Sequence, residues 1–160
     1  MRIPQYETRL KDGYAPYIRE TGKTYCIDGR KALTNPKDIS SFVLYEIGLY
    51  DAAEEYTYVL CFNTKNRLIG LFETSHGSCD TAPLYPREIM QKSLMLGATS
   101  IVITHNHPSG DPTPSKADID VTQRIKNACE VIGIPLLDHV IVGLTGYYSF
   151  FEQGLLSNSK

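Results

Sequence analysis

Two histidines stand one residue apart, and an aspartate follows a proline- and glycine-rich stretch, in the run His105-Asn106-His107-Pro108-Ser109-Gly110-Asp111-Pro112-Thr113-Pro114-Ser115-Lys116-Ala117-Asp118. Imidazole nitrogens and a carboxylate oxygen are donors that zinc takes at about 2.0–2.1 Å. Side chains at i and i+2 of an extended chain point the same way, so the two imidazoles can converge on one ion. If Ser115 opens a helix, Asp118 lies in its first turn and leans back toward the helix start, facing the histidines. Two histidines and one carboxylate leave a fourth position open, which is the donor set of a hydrolytic zinc site. We therefore expect one zinc ion per chain on His105, His107 and Asp118. Ser115-x-x-Asp118 also reads as a helix-capping arrangement. The two readings are compatible, because a cap would fix the position of the acid.

The surrounding elements are those needed to hold such a segment. Residues 99–104 (TSIVIT) are short, apolar and β-branched, the pattern of a central strand buried on both faces. A loop is expected over 105–114, then a helix from about Ser115 to Ile132 closed by Gly133. Upstream, Asn35 and Pro36 start a helix whose buried stripe is Ile39, Phe42, Val43 and Ile47. Residues 56–62 and 67–72 read as a hairpin about Thr64-Lys65-Asn66, followed by a loop over 75–85. Pro86 opens a helix that ends at Gly97, and strands follow over 135–142 and 147–151. Strands alternating with helices give an α/β class: a mixed sheet sandwiched by helices. Residues 1–34 form an arm or extra strands with an Asp12-Gly13 turn, 35–155 the main domain, and 156–160 a disordered tail.

The segment from His105 to Asp118 resembles the metal-binding segment of the RadC-like branch of the JAB/MPN+ (JAMM) metalloprotease family. That pattern is His-x-His, a spacer, Ser-x-x-Asp, and a glutamate far upstream. The likeness continues through Tyr85-Pro86-Arg87-Glu88, Leu137-Asp138-His139 and Ser149-Phe150, and spans residues 35 to 155. It implies an MPN/JAB domain resembling the cytidine-deaminase fold, zinc and a water on His105, His107 and Asp118, and Ser115 as a hydrogen-bond partner of the reacting oxygen. It places the general base just before the first long strand, at Glu54-Glu55. Glu55 fits better than Glu54, because it alternates in phase with Thr57, Val59 and Cys61. The activity implied is that of a metallopeptidase or isopeptidase in which Glu55 activates a zinc-bound water. His139 and Asp138 are candidates for a supporting layer behind the ligands. His76 lies in a stretch that could border the cleft.

Composition narrows the alternatives. The chain has 160 residues, 42% of them apolar and 21% charged, which suits one globular domain. A net charge of −2 does not support a nucleic-acid coat, which needs excess Lys and Arg. The first 31 residues are locally basic, with seven basic and four acidic residues, and carry Tyr6, Tyr14, Tyr17 and Tyr25. A DNA-associated role, as the RadC label traditionally suggests, thus stays an alternative. So does a metal-bound interaction module without turnover. Residues 1–34 show no helix-hairpin-helix pattern of the kind that full-length relatives carry. A zinc deaminase would need H-x-E and P-C-x-x-C ligands, and neither occurs. Cys26, Cys61, Cys79 and Cys129 form no CxxC pair and read as buried free thiols. With no apolar leader and no apolar run of about 18 residues, the expected location is the cytoplasm, with no membrane contact. The expected partner is a peptide or protein substrate; its identity and the oligomeric state are not readable.

Overall fold

The computed structural model describes residues 1–27, 33, 35–77 and 84–156. Asp12 and Gly13 both take positive φ (51° and 78°), and with Tyr14, whose N–H donates to the Lys11 carbonyl at 3.1 Å, they make the hairpin connection. They join β1 (Arg2–Lys11) to β2 (Ala15–Cys26) as an antiparallel ribbon. Asn35 caps the first helix, accepting from the Asp38 N–H at 2.9 Å, and Pro36 occupies its first turn. That helix, α1 (Pro36–Ser41), passes into a π-helical turn, Phe42–Ile47, which Gly48 closes at φ 88°. Next come β3 (Glu55–Phe62), β4 (Leu68–Gly77), α2 (Pro86–Met95), β5 (Ser100–Asn106), α3 (Lys116–Ile132), β6 (Leu136–Gly143) and β7 (Gly146–Ser149).

The strands form one mixed sheet in the order β2-β1-β4-β3-β5-β6-β7. β1 runs parallel to β4 and β5 parallel to β6, and the other pairs are antiparallel. Parallel β5 and β6 need a crossover, and α3 supplies it. Alternation along the strands sorts their side chains to two cores. Leu60, Phe62, Val102, Val140 and Val142 pack with Ile39, Phe42 and Val43 on one face. Val59, Cys61, Ile101, Ile103 and Ile141 pack with Ile89, Met90, Ile125 and Cys129 on the other. β5 lies between β3 and β6 and is buried along its whole length. The sheet is thus sandwiched by helices, as the residue pattern implied.

Several boundaries differ from the sequence expectation. β5 continues past Thr104, because His105 and Asn106 pair with Ile141 and Val142. The expected loop therefore starts at His107, not His105. β4 runs on to Gly77, paired with Glu55 at the start of β3; Ser75, His76 and Gly77 look like loop residues until β3 offers them a ladder. The Cys61 and Cys129 thiols are buried, and burial pushes both up to about 12. Cys26, however, is exposed on edge strand β2. Cys79, Thr34 and residues 157–160 of the expected tail lie outside the described residues, whereas Leu156 is buried in the second core. The basic ribbon spends part of its charge internally: Glu7 binds Arg19 at 2.6 Å and Arg9 at 2.9 Å. Among the described residues, no helix is long and apolar enough to cross a membrane.

The segment after β5 is clamped to the β6–β7 hairpin. The His107 N–H donates to the Val142 carbonyl at 2.9 Å, and both the N–H and hydroxyl of Thr145 donate to the Gly110 carbonyl at 3.1 Å. Gly143 permits this approach, since a Cβ there would run into the Gly110 carbonyl group. Gly143→Ala should displace the 107–112 loop, lower stability by about 1–3 kcal/mol and weaken metal retention. Thermal unfolding and chelator competition on the same samples check both effects.

Candidate metal centre

His105 is set by the strand that carries it. It lies opposite Thr57 of β3 and beside Ile141 of β6, and only 1% of its side chain is exposed. A buried imidazole needs partners for both nitrogens. The Nδ1 of His105 lies 2.9 Å from the Nε2 of His139, and the Nδ1 of His139 lies 2.6 Å from the Thr122 hydroxyl. That hydroxyl donates to the Asp118 carbonyl one helical turn back. Since a carbonyl only accepts, one proton arrangement satisfies the whole chain. Thr122 accepts from Nδ1–H of His139, and Nε2 of His139 accepts from Nδ1–H of His105. The lone pair of His105 then sits on Nε2, pointing into the site.

His107 reaches the same tautomer by another route. Its Nδ1–H donates to the Asp111 carbonyl at 2.9 Å, leaving Nε2 to face the Nε2 of His105, also at 2.9 Å. Asp118 comes from the first turn of α3. Its Oδ2 accepts from the Ser115 N–H at 2.7 Å and the Ser115 hydroxyl at 2.6 Å, while the Ser115 Oγ accepts from the Asp118 N–H at 3.1 Å. This is a capping box, and it turns the carboxylate toward the histidines. Asp118 Oδ1 lies 3.4 Å from His105 Nε2, and Oδ2 lies 3.6 Å from His107 Nε2.

These separations suit a metal ion. Donors about 2.0–2.1 Å from a tetrahedral centre stand roughly 3.3–3.4 Å apart; here the two imidazole nitrogens are 2.9 Å apart, and each has one oxygen of the Asp118 carboxylate at 3.4 or 3.6 Å. One ligand atom from each of the three residues falls within 4.8 Å of the others. Charge states agree with the geometry. Burial, helped by His139 and His107, holds His105 well below the ordinary histidine range against the pull of Asp118. Burial also takes His139 down to about 4, so both imidazoles are neutral near neutral pH. His107 is raised, chiefly by the Asp118 carboxylate 3.6 Å from its Nε2, which outweighs burial. Burial pushes Asp118 upward, but His107, His105 and Ser115 outweigh it and hold the carboxyl well below its usual range.

Glu55 stands at the mouth of this cluster. It begins β3 on the His105 face, and its Oε1 lies 3.9 Å from His105 Nε2, with 14% of the side chain exposed. Glu54 turns elsewhere, its carboxylate accepting from the Tyr56 hydroxyl at 3.4 Å. Asp138 is the expected supporting residue that the structure moves out of the site. It alternates with His139 and so takes the opposite face of β6. There its carboxylate accepts from the Ser149 hydroxyl and the N–H groups of Phe151 and His139, tying down the chain after β7. His76 stacks on Tyr56 and bonds Glu73 at 2.7 Å, among the strand ends beside Glu55. Sequence reasoning missed Thr122, whose only signal was a hydroxyl one turn after Asp118. It also passed over Asn106, the polar residue between the two histidines of the cluster.

Comparison with known proteins places these residues in a family context. The family model described as RadC-like JAB domain matches residues 33–155. A UPF0758 protein of Carboxydothermus hydrogenoformans is 45% identical over 121 residues, covering 76% of this chain and 53% of that protein. UPF0758 proteins of Clostridium botulinum (strain Alaska E43) and Clostridium beijerinckii are 44% and 42% identical over 124 residues, each covering 78% of this chain and 53% of the relative. The chain thus spans about half the length of these relatives.

Two outcomes test the centre. Protein purified without added metal should carry about one zinc per chain, and a His105→Ala/His107→Ala double variant should carry none, as read by elemental analysis. Thr122→Val removes the acceptor for Nδ1–H of His139 and frees the ring. Zinc affinity measured against a chelator should then fall about 10–100-fold, with all three ligands still in place.

Proposed function

The chain belongs to the RadC-like JAB domain family, and from that premise we propose that it is a zinc-dependent hydrolase, a metallopeptidase or isopeptidase acting on a peptide or protein substrate. The observation that carries the reading is the position of Glu55. A carboxylate lies 3.9 Å from His105 Nε2, on the strand facing the three-donor cluster. It is near enough to reach a water bound in the cluster and is not needed as a ligand. Zinc held by His105, His107 and Asp118 would lower the pKa of a bound water and polarise a substrate carbonyl.

The chain's own groups account for the rest. Glu55 takes a proton from the attacking water and returns it to the leaving amine. Ser115 stands beside Asp118, and its hydroxyl can turn toward the reacting oxygen, because its backbone N–H keeps hold of Asp118 Oδ2. His139 and Thr122 keep His105 neutral and aimed. Covered faces on both sides of β5 limit water to the open side of the cluster.

Glu55→Gln should keep the fold and the zinc while lowering turnover by about 10²–10⁴. Glu54→Gln should leave turnover near wild type. The measurement is hydrolysis of whichever peptide or isopeptide a screen yields, with zinc content determined on the same samples. Loss in Glu54→Gln alone would move the base by one residue. Full activity in both variants would refute the mechanism. Normal zinc binding without any cleavable substrate would favour a metal-bound interaction module.

A further inference from the structure

The ladder between β3 and β5 has its last rung at Thr57 and His105. Tyr56, Glu55 and Glu54 lie beyond it, where β5 gives way to the loop at His107. The Asn106 side chain extends the ladder in place of backbone. Its Oδ1 accepts from the Tyr56 N–H at 2.8 Å, and its Nδ2 donates to the Glu54 carbonyl at 2.9 Å. One bond falls on each side of Glu55, so both peptide units flanking that residue are held. Only 3% of Asn106 is exposed.

The chemistry of the two partners selects the residue. An N–H on one side and a carbonyl on the other call for an acceptor and a donor on one short planar group, which is a carboxamide. Ionised aspartate keeps the acceptor but has no donor for Glu54. Serine lacks the second arm, and glutamine is a methylene too long. His105 and His107 flank Asn106, so one tripeptide places two metal donors and a group that reaches across to the neighbouring strand. A base must lie within hydrogen-bond reach of its water, and a displacement of about 1 Å can cost about 10²-fold in rate. We propose that Asn106 is the positioning residue for Glu55, fixing its carboxylate relative to the metal cluster by clamping the backbone on either side of it. The catalytic part of this inference rests on the reading of Glu55 as the general base; the positional part does not.

The test uses the full chain and reads the two parts separately. In Asn106→Ala, amide hydrogen exchange at Tyr56 should accelerate at least about fivefold, and the Glu55 carboxyl-carbon resonance should shift or broaden. The Val59 amide in mid-strand and the zinc affinity should stay as in wild type. Asn106→Asp, which retains shape and the Tyr56 acceptor, should still move the Glu55 resonance; it serves if the alanine variant does not fold. On a substrate that the wild type cleaves, Asn106→Ala should lower kcat about 10²-fold with KM unchanged. An unmoved Tyr56 amide and Glu55 resonance would overturn the proposal. So would loss of zinc affinity with Glu55 undisturbed, since Asn106 would then serve the ligands. If Glu55→Gln proves fully active, the base reading falls, while the exchange and resonance data still decide whether Asn106 holds Glu55.

Discussion

The site depends on keeping one imidazole neutral and correctly turned in the middle of a sheet. His105 is enclosed by β3 on one side and β6 on the other. There water cannot satisfy its inner nitrogen, and an unpaired polar atom at such depth costs about 1–3 kcal/mol. His139 and Thr122 supply the missing partners, and their chain ends on the backbone of Asp118. Two of the three candidate donors are thereby joined by hydrogen bonds running behind the site. A conventional carboxylate behind the histidine would add negative charge to the centre. A neutral histidine there leaves the pair uncharged.

The second economy is at the start of α3. An acid in the first turn of a helix is favourable because of the exposed N–H groups and the helix dipole. Asp118 takes that benefit through the Ser115 N–H and hydroxyl, yet the same contacts turn its other oxygen toward His105. Capping and ligand placement are thus one arrangement. The weak sequence signal, Ser-x-x-Asp, served both readings for that reason.

What could be read from the residues was the part written locally. The paired histidines, the rigid turn and the first-turn acid lie in one continuous stretch, and strand alternation separated Glu55 from Glu54. What could not be read depended on neighbours from distant parts of the chain. Alternation also puts Asp138 and His139 on opposite faces, but only the sheet order shows which face holds the metal cluster. The extension of β4 to Gly77 required a partner strand for residues of low strand preference. Thr122 sits on the buried side of an otherwise ordinary helix, and nothing short of the packing of α3 over β6 brings it to His139. Asn106 looked like a spacer because its partners lie 50 and 52 residues earlier.

That difference in sequence distance bears on how the molecule is assembled. The candidate donors at 105, 107 and 118 lie at the end of β5 and the start of α3, on either side of one loop, and loop entropy grows slowly with length. Glu55 joins them only through the pairing of β3 with β5, which sets Thr57 opposite His105. The three candidate donors are thus a local arrangement, whereas the carboxylate beside them is supplied by strand pairing from a distant part of the chain. A lesion confined to the β3–β5 pairing would therefore displace the Glu55 carboxylate while leaving the three candidate donors together.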